Sequence, residues 1–168
     1  MKPSKTPSRK IRMGAAILAL LGVSLISQVA AQTAARSDVA IIVNRNNPVV
    51  NLTLADLRKI YRGERQYWAG NSPVIPLMRA PGAPEREVIL RVVFEMSEER
   101  YTQYWVAKVM RAEVSDPPAA LYSHGIMQEG VRGNPGAIGY VLQGDVHEGV
   151  KVLRVNGLLP GEPGYPVR

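Results

Sequence analysis

Apolar residues run without interruption from Val39 to Val43, mostly β-branched, the pattern of a short strand buried on both faces. The polar stretch Asn44 to Asn47 and Pro48 end it, and the period then changes. Leu54, Leu57, Ile60 and Tyr61 recur at helical spacing, with Thr53 in the N-cap position and Asp56 three residues on, suited to the positive helix end; Gly63 stops the helix. A loop carrying Tyr67 and Trp68 leads to a second strand, Val74 to Met78, which Pro76 marks as short or at an edge. Pro84 opens a helix to about Glu95 with an apolar face of Val88, Ile89, Val92, Val93 and Met96. Ser97 opens another, with Tyr101, Tyr104, Trp105 and Val109 at helical spacing, until the two prolines of "AEVSDPPAA" intervene.

The last third of the chain is read from "RGNPGAIGYV", Arg132 to Val141. A helix from about Ser123 to Arg132 stops at Gly133, expected to supply a left-handed closing residue. A turn and a buried strand follow, and Val150 to Val155 forms the final strand. The remainder, "NGLLPGEPGYPVR", has no periodicity and is expected to be a flexible tail over residues 156–168. Strands separated by helices predict an α/β domain: a small central sheet flanked by helices, over residues 32–155.

Composition changes this picture at the N-terminus. Lys2, Lys5, Arg9, Lys10 and Arg12 precede an almost wholly apolar run, Met13 to Ile26, which ends near the small residues Val29, Ala30 and Ala31. A basic start, a short apolar stretch and a small-residue site predict a signal peptide over residues 1–31, a mature chain from about Gln32, and no membrane insertion once the leader is cleaved. The formal charge of +7 is then misleading: five of the 21 basic residues lie in the leader and no acid does, leaving 16 against 14. Without a basic patch, nucleic acid is not an expected partner. The chain has no cysteine, which removes thiol chemistry, zinc–cysteine sites and the residue a lipid anchor would need. The expected product is soluble and periplasmic.

Catalytic signals are thin. Ser123 and His124 are adjacent, so their side chains leave a helix in different directions, and capping explains Ser123. His147 lies in a turn, "GDVHEG", and with two histidines in all no metal site or cofactor is expected. Glu98 and Glu99, like Glu85 and Glu87, read as acids complementing helix starts. The aromatic residues read mainly as core. The best candidate for a polar ligand is "MRAPGAPERE": a strand ends beside Arg79, and a Gly/Pro turn enters a helix whose free amides favour an anion. Arg79, Gly82, Ala83 and Arg86 are the expected contacts, the two arginines each offering a guanidinium fork. The two glutamates of that first turn work against them.

The stretch from Val39 to Phe94, with its Ile60 to Gly63 element, tryptophan loop at Trp68 and strand leading to Arg79, together with the later "GNPGAIGYV", resembles the phosphate-binding component of ABC importers, a branch of the type 2 periplasmic binding proteins. The resemblance implies a binding protein and not an enzyme, a single lobe of the type 2 periplasmic-binding-protein fold, inorganic phosphate or a similar oxyanion as ligand, and an ABC permease as partner. Two departures accompany it. Complete members close two lobes on the anion, whereas the mature chain has length for about one. They also place a Ser-Gly-Thr turn after the arginine, where this chain has Pro81, Gly82, Ala83 and Pro84. The loss of those donors motivates an alternative, a non-catalytic module that binds another envelope protein and no anion.

Overall fold

The computed structural model describes residues 38–168; the expected leader lies outside them. The central element is β1 (Val39–Asn44), every residue of which is buried. It pairs antiparallel with β6 (Ala137–Leu142) on one side and with β7 (Val150–Val152) on the other. The short β3 (Ile75–Pro76) runs parallel to β6 and forms the far edge, giving the order β3-β6-β1-β7. Pro76 thus sits at an edge, where a missing amide leaves no ladder bond unmade.

Two further parallel pairs form separate two-stranded sheets. The run expected as one strand from Val74 to Met78 breaks after Pro76. Its second part, β4 (Met78–Arg79), pairs with β5 (Ala120–Leu121), a strand that follows the double proline and has too few residues to show a period. The expected final strand divides likewise, because β8 (Arg154–Val155) leaves β7 to pair with β2 (Asn51–Leu52).

The helices begin where their caps stand. Thr53 and Asp56 form a reciprocal capping box on α1 (Leu54–Tyr61), satisfying two amides that the helix itself cannot. Pro84 opens α2 (Pro84–Ile89), which widens into a single π-helical turn, Leu90–Phe94, ended by left-handed Glu95. Ser97 caps α3 (Glu98–Met110), and Ser123 accepts the Ile126 amide at the start of α4 (His124–Gly133). α4 lies on β6 and β1. Gly139 makes that approach possible: a Cβ there would meet Met127 Sδ at 2.5 Å and Val131 Cγ2 at 3.0 Å.

Two expectations are corrected. Gly133 is the last helical residue of α4 and does not take a left-handed conformation. The last carbonyls of the helix, those of Val131 and Arg132, accept from Nδ2 of the buried Asn44 at 3.1 and 2.8 Å. The C-terminal segment is packed and not a loose tail. Tyr165 and Val167 are buried, the Val39 amide donates to the Val167 carbonyl at 2.9 Å, and Tyr165 Oη donates to the Val39 carbonyl at 2.8 Å. Burial pushes the Tyr165 phenol up, away from ionisation. Replacing this ring should therefore cost what a core aromatic costs. Tyr165→Ala is expected to lose about 3–5 kcal/mol in urea unfolding; a loss under about 0.5 kcal/mol, the ordinary surface value, would restore the flexible-tail reading.

Candidate functional site

The four expected contacts lie together where β4 enters α2. The chain leaves the sheet at Arg79 and turns through Ala80 to Ala83, with Gly82 at a φ of +86° that suits a residue without Cβ. The Ala83 amide is directed to the Ala80 carbonyl at 3.4 Å, and Pro81 and Pro84 have no amide. The turn therefore offers few free donors.

Both guanidinium groups are engaged within the molecule. Arg79 Nε donates to Glu85 Oε1 at 2.5 Å, and Nη1 donates to the Leu121 carbonyl at 2.7 Å. The pair is nearly closed to solvent, with side chains 10% and 5% exposed. Arg86 makes a two-pronged contact with Glu98, Nε to Oε2 at 2.8 Å and Nη2 to Oε1 at 2.6 Å, while its Nη1 donates to the Arg79 carbonyl at 2.6 Å. Its guanidinium carbon also lies 4.7 Å from the ring centroid of Tyr101, a cation–π contact. Behind them Tyr140 Oη accepts the Arg79 amide at 2.9 Å, tying the end of β4 to the middle of β6.

Glu85 and Glu98 are thus not simply helix-start charges exposed to water. Glu85 is buried, and an acid there is tolerated because Arg79 neutralises it. The hydrogen bond from Arg86 holds the Glu98 carboxyl below its ordinary value although partial burial works against it. Burial lowers the basicity of Arg86, but the hydrogen bond to Glu98 and that carboxylate's charge together more than compensate. Burial pushes the Tyr101 phenol up to about 12 although Arg86 opposes this, and Tyr140 is likewise driven upward by burial. These phenols stay neutral across the physiological range.

The groove beside the turn, of about 300 Å³, is formed by Pro81, Gly82, Leu90, Met96, Glu98 and neighbouring residues and is lined by neither Arg79 nor Arg86. A separate groove of about 420 Å³ runs along β3 past Tyr67, Pro73, Trp105 and Pro117. Ser123 acts as a cap, as expected, and His124 lies exposed at the start of α4. Residue types and spacing singled out Arg79 and Arg86. The paired partners of both also stood in view as acids in the first turns of two helices, but the fold decides that those acids face the arginines.

A family model described as a PBP superfamily domain matches residues 22–157, most of the chain. The chain belongs to this family. Among solved structures, it is similar to a candidate phosphate ABC transporter substrate-binding protein from Clostridium perfringens, solved with bound phosphate: 25% identity, TM-score 0.60, covering 73% of this chain and 46% of that one. An ABC-type phosphate transport receptor from Vibrio cholerae matches at 21% identity and TM-score 0.59, covering 73% and 48%. PstS from Borrelia burgdorferi matches at 17% and 0.59, covering 77% and 53%. This PBP-domain chain therefore spans about half the length of these relatives, and its mixed sheet flanked by helices is their fold over that part.

The Arg86–Glu98 bond carries a pH signature. A carboxylate held below its unfolded value adds stability above the ordinary carboxylate range and loses it as pH falls through the lower folded value. Glu98→Gln is expected to flatten the fall in melting temperature below about pH 4.3 relative to the unaltered protein. Identical acid limbs for the two proteins would show that the bond contributes no linkage.

Proposed function

We propose that the chain is a non-catalytic lobe of the solute-receptor type that engages another envelope protein and captures no free oxyanion, its own Glu85 carboxylate occupying the guanidinium an anion would use. One observation carries this reading: the 2.5 Å contact of Arg79 Nε with Glu85 Oε1, both side chains nearly excluded from water. An enclosed phosphate needs many donors in place of its hydration. Here the turn has prolines at two of the positions that would supply amides, and no hydroxyl. An external anion would also meet the buried negative charge of Glu85. Export by the basic and apolar leader to the periplasm belongs to the same proposal.

Apolar surface supports a protein partner. Along α3, Val106 is 56% and Met110 81% exposed, beside a groove of about 300 Å³ lined by Tyr101, Trp105, Val109 and Pro117. Exposed apolar side chains gathered along one groove are the kind of surface a protein partner covers.

A second reading, an oxyanion receptor serving an ABC permease, is favoured by the family and by the phosphate receptors among its structural neighbours. It requires Glu85 to leave Arg79. Calorimetric titration of the chain with phosphate and sulfate separates the two. The first reading expects no saturable heat at millimolar anion and an unchanged melting temperature; saturable binding would establish the second. Glu85→Ala strips Arg79 of its counter-charge and is expected to cost about 3–5 kcal/mol. Phosphate should then raise the melting temperature of this variant in a concentration-dependent way while leaving the parent unmoved. A variant as indifferent to phosphate as the parent would show that Arg79 does not mark an anion position.

A further inference from the structure

The chain contains two histidines, at positions 124 and 147, and the fold brings both to one place. Their ring centroids are 6.1 Å apart with the planes nearly perpendicular. His124 is the first residue of α4, while His147 follows the short 3-10 turn Gln143–Asp145 after β6. Asp145 lies beside His124, its Oδ2 3.9 Å from His124 Nδ1, too long for a hydrogen bond.

A single buried amide holds these three residues in place. Gln128, one turn along α4 and fully buried, donates from Nε2 to the Asp145 carbonyl at 2.9 Å and to the His124 carbonyl at 3.4 Å, and its Oε1 accepts the His147 amide at 2.7 Å. The backbone is thus held at all three residues while both rings remain exposed.

We infer that His124, His147 and Asp145 form a surface site for a divalent transition-metal ion of the zinc, copper or nickel class. Two imidazoles and one carboxylate suit these ions, whereas magnesium and calcium prefer oxygen. Among the described residues no three ligating side chains are already drawn to a common centre, so binding must close the site. The closure is small. Bonds of about 2.0–2.1 Å at tetrahedral angles put two ligand atoms roughly 3.4 Å apart and two ligating imidazole centroids roughly 5 Å apart. Side-chain rotation of exposed rings supplies such shifts without moving the backbone that Gln128 holds. Water completes the coordination. Nothing in this inference depends on Arg79, so it stands apart from the proposal above, and it runs against the expectation from the residue list alone that no metal is bound.

The test uses the full chain without a histidine tag, titrated with zinc chloride in a non-chelating buffer at neutral pH. One equivalent of zinc should bind and raise the melting temperature. His124→Ala and His147→Ala should each weaken binding at least about tenfold, the lower end of what lost support costs metal sites, and Asp145→Asn should weaken it too. Without zinc the histidine variants should melt like the parent, since both rings are exposed. A parent protein silent at millimolar zinc, or histidine variants that bind zinc as the parent does, would overturn the inference.

Discussion

Arg79 and Glu85 are opposite charges, six residues apart, buried together at the point where the sheet hands over to a helix. Neither could be there alone. An unpaired ion in that position would cost several kcal/mol in lost hydration, and the mutual contact removes most of that cost without adding much net stability. What the pair fixes is geometry. With Glu85 on its Nε and the Leu121 carbonyl on its Nη1, Arg79 joins the start of α2, the end of β4 and the neighbouring β5. Arg86 extends the arrangement by binding the Arg79 carbonyl on one side and the first turn of α3 through Glu98 on the other. Four elements meet at two guanidinium groups.

That arrangement bears directly on function. The fold is shared with phosphate receptors over the matched part, and under the proposed reading fold and chemistry separate at this turn. A receptor must leave its cation unsatisfied until the ligand arrives, which requires an environment willing to hold a lone positive charge. Here a carboxylate from the adjoining helix already pairs with Arg79. The prolines on either side of Gly82 point the same way, since each removes an amide that an anion would otherwise recruit. The lobe retains its sheet, its α4 packing over Gly139 and its capped helices, all of which serve stability and none of which needs a ligand.

Much of this was legible in the chain. The continuous apolar run of β1 marks the centre of the sheet because only a strand covered on both faces has no polar positions. Thr53, Ser97 and Ser123 announce helix starts since a side-chain oxygen there satisfies an otherwise free amide. Illegible were features decided by partners remote in sequence. β2, β5 and β8 are two-residue strands, too short for any period, and exist because another segment lies alongside. The end of α4 is satisfied by Asn44, far away in the chain, which no local pattern around Gly133 reveals. Tyr165 and Val167 sit among prolines and glycines without periodicity, yet they cover the start of β1. At the site, residue types identified both arginines and both acids, whereas their pairing required the fold.

The central claim is that the position of the anion is already taken. A crystal structure of the chain grown in high phosphate tests it most directly. The account predicts Glu85 Oε1 still against Arg79 Nε, with any phosphate confined to the surface. Phosphate seated on the Arg79 guanidinium, with the Glu85 side chain swung out to solvent, would contradict it.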